Sequence, residues 1–118
     1  MSAEDALFAA LTGATEVTNL VSTRVYRGYV PQEVQAPCIA FDRVATEHVN
    51  TIHGTVLASR ASLEIWCMAE QGRQADRIAD AVTPIAAGQK FIPTGQRAAF
   101  DVDSGIWSTV ISVDHWQT

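Results

Sequence analysis

Residues 56–68, VLASRASLEIWCM, decide the fold of this chain. Their second half alternates between apolar side chains and others, with Leu63, Ile65 and Cys67 set against Ser62, Glu64 and Trp66. Successive side chains of a β-strand point to opposite faces, so a period of two is typical of a strand with one buried face. The stretch therefore predicts a long strand that has one buried face and one mixed face.

Residues 71–87, QGRQADRIADAVTPIAA, change to a helical period directly after this strand. One helical face carries the apolar residues Ala75, Ile78, Ala79, Val82, Ile85 and Ala86. The other face carries the charged residues Arg73, Asp76, Arg77 and Asp80. Pro84 has no N–H to donate, so we expect it to kink the last turn or to end the helix early. Gly88 is predicted to close the helix.

The remaining elements are predicted from shorter signals. Residues 2–12 are expected to form a helix with Ser2 as N-cap and a left-handed stop at Gly13, and residues 16–21 a shorter helix. The apolar runs predict strands at 24–27, 38–49, 98–103 and 106–116. The proline and glycine positions between them predict a surface loop at 30–37, a turn at 50–55 and a hairpin turn at 103–105. Residues 89–97, with Pro93 and Gly95, are predicted to be a loop or an edge piece.

The predicted order is α-(α)-β-β-β-α-β-β, in which short turns between consecutive strands favour antiparallel pairing. We expect an α+β two-layer sandwich, with a mainly antiparallel sheet of four to five strands and two main helices on one face. A chain of 118 residues has room for one core, so one domain is expected over residues 1–118. The opposite face should carry Trp66, Met68, Trp107 or Trp116, and exposed tryptophans are typical of contact surfaces.

Composition argues against several classes of function. The 13 acidic side chains outnumber the 8 basic ones, and the net charge is −5, whereas nucleic-acid binders carry a basic stripe. Apolar runs are too short for a membrane span, and the acidic N-terminus is unlike a secretory signal. We therefore expect a cytosolic protein without a membrane or sequence-specific nucleic-acid partner. Cys38 and Cys67 are expected to be free buried thiols, with a disulfide as the less favoured alternative.

Residues that suggest catalysis or metal binding are few. His48 and His53 are five residues apart, a spacing that points their rings to opposite faces of a strand, and His115 lacks the context of a catalytic triad. The sequence contains no glycine-rich phosphate loop, CxxC pair or HExxH motif. We expect no enzyme activity, no cofactor and no metal site.

Several segments, taken in order, resemble one family. They are ALFAAL (6–11), VTNLV (17–21), TRVY (23–26), VPQ (30–32), APCIAF (36–41), ASLEIWC (61–67) and QADRIADAV (74–82). This ordered set is similar to the small tail-completion, or tail-terminator, proteins of siphophages, prophages and gene transfer agents. The resemblance runs over roughly residues 5–113, nearly the whole chain.

The resemblance implies a structural virion protein that forms a ring, commonly a hexamer, on the finished tail tube and joins the tail to the head. It implies no enzyme activity and no cofactor. Its implied partners are further copies of the chain, the tail tube protein and a head-side connector or adaptor. The implied location is the head–tail interface of a particle that is assembled in the bacterial host cytoplasm.

Residues that match recurrent motifs of the family are predicted interface residues. Arg24, Tyr26 and Pro31 lie in or beside the first loop, and Trp66 lies in the strand before the long helix. Arg24 and Arg27 flank that loop and are expected to pair with acidic groups of the next subunit. A second interpretation, in which Tyr26 and Trp66 only complete the core, is equally compatible with the sequence.

Other functions also stay open at this point. A small α+β ligand-binding or enzymatic dimer would enclose a pocket lined by Trp66, Trp107 and Phe41. Convergent polar groups in such a pocket would favour this hypothesis, and ring-shaped particles would contradict it. Within the same assembly, a connector or adaptor on the head side is a further alternative.

Overall fold

A computed structural model of the chain describes residues 2–28, 36–50 and 56–117. In these ranges the elements are α1 (Ala3–Gly13), α2 (Thr15–Val21), β1 (Val25–Arg27), β2 (Cys38–Asn50), β3 (Val56–Ala69), α3 (Gly72–Gly88), β4 (Ile92–Asp101) and β5 (Ile106–Gln117). The order and the α+β class are those that the sequence predicts. The predicted turn at 50–55 and most of the predicted loop at 30–37 lie outside the described residues.

The five strands form one sheet in the order β1-β2-β3-β5-β4. Three of its four pairs are antiparallel, but β1 runs parallel to β2, with Val25 beside Ile39 and Arg27 beside Phe41. The expectation that consecutive strands pair antiparallel was therefore wrong for β1. Residues 28–37 connect these two strands. Parallel neighbours need a connection longer than a tight turn, because both strands start at the same end of the sheet.

The core lies between the sheet and the three helices. Phe41, Ile65 and Ile111 are directly opposite one another on β2, β3 and β5, so they point to the same face. Each of the three is at most 2% exposed. The helices bury their apolar faces against this row, with Leu7 and Leu11 from α1, Val17 and Val21 from α2, and Ile78 and Val82 from α3. The alternation read in β3 is confirmed.

The helix ends differ from the predictions in detail. Ser2 caps α1 as expected, since its Oγ accepts the Asp5 amide at 3.1 Å and the Asp5 carboxylate accepts the Ser2 amide at 3.4 Å. Gly13 is not a left-handed stop. It is the last residue of α1, and the C-cap residue that follows, Ala14, has an extended conformation. α3 ends at Gly88, as predicted, and the left-handed position after that helix is Lys90, with φ of 68°.

The last turn of α3 continues past Pro84 to Gly88, so the helix does not end early. Pro84 cannot donate to the carbonyl of Asp80, which removes one hydrogen bond from the helix interior. Val82 and Ala86, on either side of Pro84, are fully buried against the core. We attribute the continuation of the helix to this packing.

Strand β4 begins at Ile92, six residues earlier than predicted, and the segment that contains Pro93 and Gly95 joins the sheet. A register shift lies between Pro93 and Gly95. Because β4 is an edge strand with a neighbour on one side only, a proline there removes no hydrogen bond from the sheet interior. The turn signals of this segment are therefore compatible with a strand at this place in the sheet.

Candidate functional site

The face of the sheet opposite the helices, here called the open face, carries a row of four residues on neighbouring strands. Ala40, Trp66, Val110 and Arg97 stand side by side on β2, β3, β5 and β4. The Arg97 guanidinium carbon lies 5.4 Å from the centre of the Trp66 ring, and Arg97 Nη1 donates to Glu64 Oε2 at 2.8 Å. Val110 is fully buried between these two large side chains although it points away from the helices.

A second stack of the same composition lies farther along the open face. The Arg60 guanidinium carbon is 5.8 Å from the centre of the Trp116 ring, and Arg60 forms ion pairs with Glu47 and Asp114. Asp114 also accepts a hydrogen bond from Ser62 Oγ at 2.8 Å. Each stack thus holds an indole against a guanidinium that a carboxylate fixes in place. Tryptophan and arginine are the side chains that most often dominate protein–protein contacts.

The predicted interface residues Tyr26 and Trp66 both lie on the open face. Ala40 is the neighbour of Tyr26 on one side and of Trp66 on the other. Both aromatic side chains are half-buried, and both point away from the core between the sheet and the helices. Arg24 is held locally, because its Nε donates to the Pro37 carbonyl at 2.8 Å. Pro31 lies outside the described residues.

Arg27 points to the helix side, where it has acidic partners in its own chain. Its Nη2 lies 2.9 Å from Glu4 Oε2 and its Nη1 lies 3.2 Å from Asp5 Oδ1. The other oxygen of Glu4 lies 2.6 Å from Arg43 Nη2. The side chain of Glu4 is 7% exposed, and its ion pairs with Arg27 and Arg43 join α1 to β1 and β2. Pairing of Arg27 with a neighbouring subunit remains a prediction.

The pocket expected from Trp66, Trp107 and Phe41 is not formed. Trp66 is on the open face, whereas Phe41 is buried in the core on the other face. Trp107 is paired with Ala69 on the helix side and packs beside Gly72 at the start of α3. The three aromatic side chains do not meet, so the hypothesis of an aromatic-lined pocket was wrong in its residues.

The two cysteines lie on neighbouring strands but point to opposite faces. Cys38 is paired with Met68, and Cys67 with Ile39. Both thiols are free and buried, as expected. Burial raises the pKa of the Cys67 thiol to about 12 and also raises the pKa of the Cys38 thiol, against the opposing effect of Arg24. A thiol that stays protonated at neutral pH is a poor nucleophile.

His48 and His115, the two histidines within the described ranges, have separate surroundings. His48 Nδ1 lies 2.9 Å from Ser59 Oγ, and the ring of His115 packs on Phe91 with centroids 4.6 Å apart. His53 lies outside the described ranges. Within these ranges no group of three or more histidine, cysteine or acidic residues is placed to hold a metal ion, and no helix is long and apolar enough to span a membrane.

The helix side carries two features that the sequence did not indicate. One is a groove of about 440 Å³ between α2 and α3, lined by Glu16, Asp80, Ala81, Pro84 and Ile85. The other is an exposed cluster at the junction of β4 and β5, formed by Phe100, Val102 and Trp107 and here called the aromatic corner. Its two rings lie 4.5 Å apart. The sequence left the face of Trp107 open, because it depends on the register of β5.

The family described as "Tail completion protein gp17" matches residues 5–108. The chain belongs to the tail completion protein family. Its fold is similar to that of a chain in the structure described as "Virion of native gene transfer agent (GTA) particle", with a TM-score of 0.84 and 12% identity over 98% of this chain and 94% of that chain. This likeness concerns the fold. No curated protein sequence matches the chain.

A tail completion protein is a structural protein of the phage tail, and the resemblance stated from the sequence is confirmed. Its function therefore depends on surfaces that bind other virion proteins. The described residues offer three candidate contact surfaces, namely the open face with its two tryptophan–arginine stacks, the aromatic corner, and the groove between α2 and α3.

Proposed function

We propose that this tail completion protein forms a closed ring, with six copies as the resemblance implies, that caps the tail tube and joins the tail to the head. The family match over residues 5–108 carries this proposal. A closed ring requires that one patch of each subunit bind a different patch of the next. The chain has separate contact surfaces on its two sides, which is compatible with that requirement and with additional binding to the tube or the head connector.

The open face is the proposed surface for the neighbouring virion protein or subunit. The proposed interface residues are Arg24, Tyr26, Arg27, Pro31 and Trp66, of which Tyr26 and Trp66 lie on this face. Tyr26 and Trp66 supply half-buried aromatic area on both sides of Ala40. Rigid aromatic side chains lose little conformational freedom when they bind, and a guanidinium stacked on an indole is already ordered. These features support a contact that is formed without rearrangement of the sheet.

The test is to mix the purified protein with headless tail tubes that lack it, and to record mass by light scattering over a concentration series and particle shape by negative-stain microscopy. Rings, or a monomer that becomes ring-shaped on the tube end, are expected. A stable compact dimer that never caps a tube would overturn the proposal. Binding to head particles rather than to headless tubes would assign the chain to the head-side connector instead.

A matched pair of variants locates the contact. Trp66→Ala should weaken tube capping about 30-fold, because loss of a central aromatic contact typically costs about 2 kcal/mol or more. Phe8→Ala removes an exposed aromatic side chain from the helix side, where Phe8 is 41% exposed. It should leave capping unchanged. Equal losses in the two variants would exclude the open face as the specific contact.

A further inference from the structure

Two strands of the sheet each leave a backbone edge open. β4 is hydrogen-bonded to β5 on one side, and no strand of the described residues lies on its other side. β2 has β1 beside it only as far as Phe41, so beyond that residue no described strand covers the same edge of β2. Residues 92–98 of β4 and 44–48 of β2 are all exposed. An open edge presents unpaired N–H and C=O groups to which another strand can bind.

The directions of the two strands decide how these edges can meet. β2 and β5 are each antiparallel to β3, and β4 is antiparallel to β5, so β4 runs opposite to β2. A rotation about an axis parallel to the strands brings β2 of a second copy beside β4 of the first without changing its direction. The two strands then form an antiparallel pair, and the helices of both copies stay on the same side of the joined sheet.

The two edges carry charges of opposite sign. Arg97 is the only charged residue among residues 92–100, and Glu47 is the only acidic or basic residue besides His48 among residues 44–50. Both point to the open face, where Arg97 lies beside Val110 and Glu47 beside Arg60. Their side chains are 53% and 66% exposed. Each can therefore bind a group across an intersubunit contact while it keeps the ion pair that it forms within its own chain.

We propose that β4 of one copy pairs with the open edge of β2 of a second copy, with Arg97 directly opposite Glu47. In this register residues 94–99 of the first copy pair with residues 50–45 of the second. The occupant is a second copy because one chain supplies both edges, with opposite directions and opposite charges. Oppositely charged residues in directly opposed positions stabilise a strand pair and fix its register. This inference rests on the proposed ring and names its subunit–subunit contact.

The residues at the ends of the paired stretch limit its length. Asp101 and Asp42 come together just beyond one end, and like charges in opposed positions destabilise a strand pair. At the other end Pro93, which has no N–H to donate, precedes residue 94. Each copy uses two different edges and so binds two neighbours, and such a repeated contact closes into a ring when its rotation allows closure. The open face itself stays available for another virion protein.

Cysteine cross-linking tests the register. Thr46 and Ala98 are directly opposite in the proposed pair, and both are exposed. Thr46→Cys protein and Ala98→Cys protein are mixed in equal amounts and oxidised, both free at high concentration and on tail tubes. A disulfide-linked pair of one chain of each kind is expected. The reason is that opposed Cβ atoms of antiparallel strands lie about 4.5–5.5 Å apart, close to their separation in a disulfide.

The control for this experiment is Val102→Cys protein mixed with Thr46→Cys protein. Val102 is 82% exposed, but it follows β4 and lies outside the paired stretch. This mixture should give no disulfide-linked pair, and neither should each variant alone. The native thiols are buried and do not compete.

Charges at the same two positions supply a second test. In a chain that carries Thr46→Glu, Ala98→Lys places opposite charges across the contact, whereas Ala98→Glu places like charges there. The same two changes at position 98 are compared in a chain that keeps Thr46, which subtracts the effect of net charge. The preference for lysine over glutamate in association should be about fivefold greater in the Thr46→Glu chain. Equal preferences in the two chains would overturn the register.

The outcomes separate this contact from the proposed function. Rings or capped tubes without the mixed disulfide would overturn the contact and leave the ring function standing. Cross-linking of Ala98→Cys protein with itself would show that two β4 strands pair about a twofold axis, and would also overturn the contact. A wild-type chain that neither associates nor caps a tube would overturn the contact and the proposed function together.

Discussion

Glu4 connects three elements through a single buried carboxylate. It accepts from Arg27 on β1 and from Arg43 on β2, while it lies in the first turn of α1. Glu4→Gln should lower the free energy of unfolding by about 1–3 kcal/mol, because two guanidinium groups then face a neutral side chain. Urea unfolding followed by circular dichroism measures the change.

Glu16→Gln is the matched control for this substitution. Glu16 is exposed and has no ion pair within the described residues, so its change should stay within about 0.5 kcal/mol of the wild type. Equal changes in the free energy of unfolding for Glu4→Gln and Glu16→Gln would show that the shared carboxylate does not stabilise the fold through the two arginines. They would also leave Arg27 available for the intersubunit pairing that the sequence suggested.

Cys67 should contribute a dependence of stability on alkaline pH. Its folded-state pKa is raised from 9.0 to about 12 by burial. The folded protein therefore holds the thiol proton more tightly than the unfolded chain does. The corresponding stability is complete below pH 9.0 and is lost as the pH rises towards 12. In Cys67→Ala the decline of the free energy of unfolding above pH 9 should be shallower than in the wild type. Parallel curves from denaturant titrations would contradict the assignment.

Residue pairs differ in how far the sequence reveals them. The alternation at Leu63, Ile65 and Cys67 is local, so it was predicted without knowledge of the fold. The partners of Glu4 are 23 and 39 residues away along the chain. They come together only because β1 lies parallel to β2 beneath α1. The spacing of residues along the chain does not predict that arrangement. The side of the sheet on which Trp107 lies was unpredictable for the same reason.

At the scale of elements, α3 combines a strong helical pattern with a residue that opposes it. Pro84→Ala should raise the free energy of unfolding by about 1 kcal/mol or more, because alanine restores the N–H and is the best helix former. Thermal and urea unfolding measure the gain. Ala87→Ser, an exposed change in the same helix that involves no proline, should stay within about 0.5 kcal/mol of the wild type. A less stable Pro84→Ala protein would show that the proline ring itself fills the groove wall.

Strand β4 shows why local signals misplace an element. Pro93 and Gly95 are turn residues in most contexts, so the sequence predicted a strand from Ala98 onward and left residues 89–97 as a loop or an edge piece. The sheet accommodates them because β4 has a single neighbour and a register shift lies between Pro93 and Gly95. The position of a strand within the sheet decides the cost of a proline, and that position depends on the pairing of β5 with β3. The hairpin from β4 to β5, in contrast, follows from its turn residues and was predicted.

The whole molecule is elongated, with extents of 51 × 30 × 23 Å. Its radius of gyration of 15.1 Å exceeds the value of about 13.5 Å expected for a compact domain of this length. The long antiparallel pair β2–β3 accounts for the long axis, since the exposed residues 44–48 extend beyond the contacts of the helices. The sequence predicted both strands but not that their distal parts would lack a helical cover.

The net charge of −5 makes association depend on salt. Raising the salt concentration from about 0.01 M to about 0.15 M shortens the screening length from about 30 Å to about 8 Å. Repulsion between acidic copies then weakens, whereas pairs within a closed contact are screened less. The weight-average mass from light scattering should therefore rise over this range. A steady fall of wild-type mass would mean that attraction across the contact exceeds the general repulsion.

The strand order has a consequence for the synthesis of the protein. β5 lies between β3 and β4 in the sheet, although it follows both along the chain. The nascent chain therefore contains β3 and β4 before it contains the strand that joins them. Until then β3 has one open edge, and β4 has no partner strand at all. The sheet is therefore complete only after β5 has been synthesised, and a chain that stops before residue 106 would lack the strand that holds β4 beside β3.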